Sequence, residues 1–125
     1  MKGSIRSRRE FDAVYEHGAR RHGRFAVLFF LAPEERCRLL GDEGAGEARV
    51  GIVASRRVGG AVRRNRAKRV LRAASRELTG TLEPGSRMVI VARRNLVAEG
   101  VRTPEVRDEL HRLFERCLRG EGIAS

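Results

Sequence analysis

Arg64, Lys68, Arg72 and Arg76 recur at every fourth position, and Asn65, Arg66 and Arg69 fall beside them on a helical projection. The same window places Ala67, Val70, Leu71, Ala74 and Leu78 within an arc of roughly 100°, wide enough to seat a helix on a sheet. The spacing predicts a helix over 61–78 with one apolar side and one cationic side. Like charges at this spacing cost an isolated helix about 0.2–0.5 kcal/mol per pair, and cations in the first turn oppose the helix dipole. No acid within the window relieves the row of cations until Glu77. Such a surface calls for a polyanion, and arginine suits phosphate because its planar fork can engage two oxygens at once.

A second group is aromatic. Phe11 and Tyr15 are four apart and share a helix face, while Val27, Phe29 and Leu31 alternate onto one face of a strand. By spacing alone such residues read as core more readily than as a platform for bases. No protein-borne active site assembles from the remaining residues. His17, His22 and His111 are scattered without metal-ligand spacing, and no Ser/His/Asp or Cys/His arrangement emerges. Cys37 and Cys117 form no Cys-x-x-Cys, which excludes a disulfide framework and a cysteine-built zinc site. Both are expected as reduced bystander thiols. The expectation is no catalytic residue, no metal site and no cofactor held by the protein alone. Gly59-Gly60 reads equally as a backbone approach to phosphate and as a plain turn.

The elements that must position these groups follow from the rest of the chain. Its 125 residues suffice for one domain, expected over 1–125. The formal charge is +11, and 25 of the 27 basic residues are arginines. A GC-rich genome gives the same arginine bias, so position carries the argument. Residues 48–76 hold ten basic side chains and no acidic one, whereas 1–47 and 77–125 are nearly balanced. No apolar run approaches membrane-spanning length and no secretory signal stands at the N-terminus, so a cytoplasmic protein without membrane association is expected. Ser7 and Glu10 have capping-box spacing and open a helix over about 8–17. Strands are expected at 25–31, 49–55 and 87–92, the last buried on both faces. Residues 34–48, rich in glycine and mixed charge, read as a long mobile connection. A last helix starts with Thr103 as N-cap and Pro104 in its first turn. It buries Val106, Leu110, Leu113, Phe114, Cys117 and Leu118, and Gly120 ends it. The unit 49–92 is strand–helix–strand, so its strands should be parallel. The fold class is α+β, a small single-domain sandwich with helices on one mixed sheet. A hidden edge strand falls near Arg20–His22 or near Arg36–Leu39.

The run from Gly51 to Arg72, GIVASRRVGGAVRRNRAKRVLR, resembles the signature of the bacterial ribonuclease P protein component. Outside it, Glu10-Phe11, Val14-Tyr15 and Gly18 look like the family's first helix, Phe25–Leu31 like its first long strand, Val89–Arg93 like its last strand, and Leu110, Leu113 and Phe114 like its last helix. The resemblance implies a small basic subunit that assists a catalytic RNA, the RNA itself cleaving the 5′ leader from precursor tRNA. It implies a crossover that is left-handed, against the usual rule. It puts Ser55, Arg56, Arg57, Arg64, Asn65, Arg66, Lys68, Arg69 and Arg72 on the surface facing the catalytic RNA. It puts Phe11, Tyr15, Val27 and Phe29 in a cleft for the single-stranded leader. Partners are then the catalytic RNA and the leader, with no further protein required, and Mg²⁺ is expected for the RNA-based holoenzyme. Three departures stand out: Ser75 where the family usually has a bulky aromatic, little chain before the first helix, and a longer 34–48 connection. The alternative is a general RNA-binding or ribosomal protein with no part in cleavage. A DNA reader is disfavoured, because the basic helix lies inside a strand–helix–strand unit with no dimerisation stripe left over.

Overall fold

The computed structural model describes residues 2–120; Met1 and residues 121–125, the two ends of the expected domain, lie outside the described residues. Five strands, β1 (Lys2–Ser4), β2 (Ala19–His22), β3 (Ala26–Leu31), β4 (Ala48–Val53) and β5 (Arg87–Ala92), form one mixed sheet in the order β1-β4-β5-β3-β2. β4 runs parallel to β5 and to β1, while β3 is antiparallel to β5 and to β2. The strand–helix–strand unit therefore has the parallel strands that its sequence order requires. The edge strand is Ala19–His22, one of the two places the sequence allowed; β1 is an additional edge strand that three short residues could not announce.

Helices α1 (Arg8–His17) and α2 (Pro33–Leu40) lie on one face of the sheet, and α3 (Ala61–Ala74), α4 (Arg76–Gly80) and α5 (Thr103–Arg119) pack on the other. The α3–α5 face holds the larger core, in which Leu28, Leu71, Met88, Ile90 and Leu110 are fully buried. The α1 face is built on Val14, Phe29, Leu31 and Val89. Val89 and Ile90 point to opposite faces, so β5 is covered on both sides, as its continuous apolar run requires.

Several expectations need correction. Residues 34–48 are not a plain loop: Pro33 at the first helical position starts α2, which ends at Gly41 with φ +73°. The turn after it is tied down from within, since Arg36 donates to Gly41 O at 2.6 Å and Arg87 to Gly44 O at 3.0 Å. The basic helix does not run unbroken over 61–78; it stops at Ser75 and resumes as α4. The cap of α5 is Arg102 rather than Thr103, with Glu105 accepting the Arg102 backbone N–H at 3.1 Å. On α5, Leu118 leaves the core and is 61% exposed.

Glu10 fastens α1 to the sheet. Its Ser7 cap forms as expected, Ser7 Oγ accepting the Glu10 N–H at 3.1 Å. The carboxylate is buried and accepts from Arg49 at 2.9 Å and Arg87 at 2.8 Å, one from each central parallel strand. Burial alone would raise its pKa; the Arg6 N–H, the Arg87 hydrogen bond and the nearby charges of Arg49 and Arg87 outweigh this and hold it below the ordinary carboxylate value. On the opposite face buried Glu109 accepts the backbone N–H groups of Arg24, Phe25 and Ala26 and so clamps α5 to the β2–β3 turn.

Candidate RNA interface

The basic surface begins in the turn after β4. Ser55 Oγ accepts the Arg57 N–H at 3.3 Å, and Ser55 O accepts the Val58 N–H at 3.0 Å. Val58 is buried and anchors the turn, which leaves Ser55, Arg56 and Arg57 exposed. Gly59 has φ +142°, a conformation that disfavours any side chain, so this glycine is required by the turn whatever else it contacts.

α3 seats Ala67, Leu71 and Ala74 in the core with Val70 half-buried, so the apolar arc read from the sequence is the buried one. Asn65, Arg66, Arg69 and Arg72 are exposed, and Arg64 and Lys68 are half-buried. Arg63 and Arg76, which the motif does not include, extend the same exposed surface. Arg76 is the last cation of the i, i+4 row read from the sequence, and the signal for Arg63 was the charge count, since it lies in the acid-free stretch. None of the basic residues from Arg56 to Arg76 makes an ion pair among the described residues, whereas Arg6, Arg8, Arg38, Arg49, Arg87 and Arg107 all do. Nε of Arg64 is buried without a hydrogen-bond partner among the described residues. The first turn of α3 has no acid and Gly60 gives no side-chain cap, so its N–H groups and its cations face outward together.

On the other face of the sheet the aromatic residues meet in a row. The Phe11 and Tyr15 centroids are 6.2 Å apart, and Tyr15 meets Phe29 edge-on at 4.9 Å. Tyr15 is 39% exposed, and Phe11 and Val27 are half-buried. Phe29 is only 8% exposed, so it supports the Tyr15 ring rather than offering an open face of its own. Burial raises the Tyr15 phenol above its ordinary pKa. Phe25, Phe30 and Phe114 belong to the opposite core. The sheet thus lies between the α3 cations and the α1 aromatics, while Ser55 and Arg57, in the turn after β4, line one cavity with Val27.

The remaining candidates stay apart. Cys37 is exposed, and Cys117 is buried in the core, where desolvation raises its thiol pKa. His111 Nδ1 lies 2.9 Å from Arg107 O within its own helix. Among the described residues no three His, Cys, Asp or Glu side chains are placed to hold a metal ion, and no helix is long and apolar enough to cross a membrane.

Comparison with known proteins places the sequence and the fold. The chain is 39% identical over 114 residues to a ribonuclease P protein component from Synechococcus sp., covering 90% of this chain and 80% of that one. It is 36% identical over 121 residues to the ribonuclease P protein component from Nitratiruptor sp., covering 95% and 97%. Among solved structures, the RNase P protein from Thermotoga maritima superposes with a TM-score of 0.69 at 30% identity, covering 90% of this chain and 96% of that one. The Staphylococcus aureus RNase P protein shares the fold with a TM-score of 0.68 at 20% identity, covering 90% and 92%. The family model for ribonuclease P matches residues 2–118, and the chain belongs to that family.

Proposed function

We propose that this chain uses its two faces for two RNA partners: the α3 surface for the catalytic RNA and the α1 aromatic row for the single-stranded 5′ leader of precursor tRNA. As a ribonuclease P protein component it serves an endoribonuclease whose catalyst is RNA and whose product is a tRNA with a mature 5′ end. Ser55, Arg56, Arg57, Arg64, Asn65, Arg66, Lys68, Arg69 and Arg72 contact the catalytic RNA in this reading. Phe11 and Tyr15 stack on leader bases, Phe29 supports Tyr15, and Val27 extends the same face of the sheet along β3. The observation that carries it is the unpaired row of exposed cations on a helix whose other side is buried. Uncompensated arginines bind phosphate without first breaking an internal ion pair, and neutralising each phosphate releases counterions. Stacked aromatics complement this, since every base has a π-face whatever its identity.

In this reading the Mg²⁺ that two-metal phosphate chemistry needs belongs to the catalytic RNA and its substrate. Action in the cytoplasm goes with this reading. The test is reconstitution with the matching catalytic RNA and cleavage of precursor tRNA at low magnesium. Protein alone is expected to be inactive, RNA alone slow, and the two together fast. Specific cleavage by RNA-free protein, or an RNA rate unmoved by the protein, overturns the reading.

A further inference from the structure

β1 covers the edge of β4 only as far as Val50: Ser4 pairs with Val50, and the Ile5 N–H donates to Val50 O at 3.3 Å. Strand alternation then aims the N–H and C=O of Ile52 past the end of β1, where none of the described strands receives them. A cavity of about 410 Å³ opens at this place. Phe11 closes it on the α1 side, and Arg72, Ser75, Arg76 and Thr79 close it on the α3–α4 side. The break between α3 and α4 makes the room. Buried Ser75 sits at the break, and its hydroxyl makes only a long 3.5 Å contact, to Arg72 O. A bulky side chain there would fill the space. Among the described residues no acidic side chain lines the cavity, and its size lies in the range of small-molecule sites.

Three features select the occupant. Two guanidiniums without counter-charge suit one phosphate. A half-buried ring suits a base. An unpaired backbone N–H and C=O offer a donor and an acceptor to a base edge. The cavity also touches both surfaces described above, since Phe11 ends the aromatic row and Arg72 belongs to the cationic row. We propose that this cavity is a subsite for one nucleotide of a single RNA strand passing round the open edge of the sheet, with phosphate on Arg72 and Arg76 and base against Phe11 and Ile52. The inference rests on the RNA-binding reading. The strand can come from the leader or from the catalytic RNA, and the test separates these sources.

Arg76→Ala, Thr79→Trp and, as a control of equal charge loss, Arg112→Ala are compared in the reconstituted holoenzyme. Affinity is measured for precursor tRNA with long and short leaders, for mature tRNA, and for the catalytic RNA itself. Arg76→Ala is expected to weaken one of these interactions about fivefold and to lower its salt slope by about 1. Thr79→Trp fills the cavity without changing charge and is expected to weaken the same interaction with the slope unchanged. Loss confined to long leaders identifies the leader; loss of affinity for the catalytic RNA identifies that RNA; either supports the subsite. Wild-type affinity of Thr79→Trp throughout, at an unchanged melting temperature, overturns it. So does a loss in Thr79→Trp with Arg76→Ala no different from Arg112→Ala, which marks an uncharged occupant such as an added protein strand. If Thr79→Trp does not fold, Ser4→Trp closes the cavity from β1 under the same criteria. The broader reading fails on a different result, unchanged RNA binding when Arg66 and Arg69 are reversed in charge.

Discussion

Arg87 and Arg66 show two uses of one residue type on either side of the same sheet. Arg87 is fully buried, donating to the Glu10 carboxylate and to the carbonyls of Gly44, Glu47 and Ser86. With Arg49, Glu10 and Glu47 it closes a charged cluster that joins α1, the starts of β4 and β5, and the turn after α2. Arg66 is exposed on α3 and has no acid beside it. The first region satisfies its charges internally and holds the fold; the second leaves them unsatisfied and keeps them for a partner. Net charge cannot tell these apart. What separates them is which acids the fold brings near: Glu10 and Glu47 stand beside Arg49 and Arg87, while Arg66 makes no ion pair among the described residues, although Arg49 and Arg66 share the acid-free stretch 48–76.

The largest effect expected from this contrast is on stability. Glu10→Gln removes the anion that Arg49 and Arg87 share, leaving buried Arg87 without its carboxylate partner and Arg49 with Glu47 alone. Breaking a buried pair in this way costs about 3–5 kcal/mol, measurable by urea unfolding. Affinity of the folded fraction for the catalytic RNA should stay at the wild-type level. The same carboxyl sets a pH dependence. Its folded pKa lies below its unfolded value, near 4.3 in a free chain, so its stabilisation is fully present above that value. It is lost as pH falls through the lowered folded value. Wild type should therefore lose stability below about pH 4.3, and Glu10→Gln should lose less over that interval. Equal slopes would remove Glu10 as the anchor.

The opposite outcome is expected on α3. Arg66 and Arg69 are exposed and lie off the apolar arc, so reversing both to Glu should leave the melting temperature near wild type. Affinity for the catalytic RNA should fall about a hundredfold, with the salt slope lower by about 2. Wild-type binding should itself drop roughly a thousandfold between 50 and 200 mM salt if about six phosphates are neutralised. A double variant that binds normally with unchanged circular dichroism takes this helix out of the interface.

The two regions also differed in how far the sequence disclosed them. A solvated helix follows local rules: Ala67, Leu71 and Ala74 recur at helical spacing, so the buried arc and its cationic complement could be drawn from residue types alone. The buried cluster depends on residues distant in sequence, Glu10 with Arg49 and Arg87, whose meeting requires the parallel β4–β5 pairing and the seat of α1. Of this only the Ser7–Glu10 cap was visible. The carboxylate's second task was not. α2 was missed for a similar reason. Its glycine-rich, mixed-charge neighbourhood reads as loop, whereas the fold holds it with Arg36 and Arg87 from inside. Phe29 illustrates a third limit. Alternation assigned it to the correct strand face, but not to a position beneath Tyr15, because depth below a neighbouring ring is a property of the packed structure.

That depth sharpens the smallest expected effect, which also distinguishes leader binding from plain RNA binding. Tyr15 is the exposed ring of the row, and Phe29 supports its edge. If Tyr15 stacks on a leader base, Tyr15→Ala should weaken precursor tRNA binding to the holoenzyme by about 1–3 kcal/mol, roughly five- to a hundredfold. It should do so with little change in stability, since less of the ring is withdrawn from water. Mature tRNA has no leader, so its affinity should hardly move, and affinity for the catalytic RNA should survive because that surface lies across the sheet. Phe29→Ala should lower the same precursor-to-mature ratio but also destabilise the fold, by about 3 kcal/mol or more, because a buried ring is lost. The measurement is the ratio for wild type and both variants, with unfolding followed in parallel. A constant ratio in Tyr15→Ala would reduce the aromatic row to packing and leave the chain an RNA binder through α3 alone.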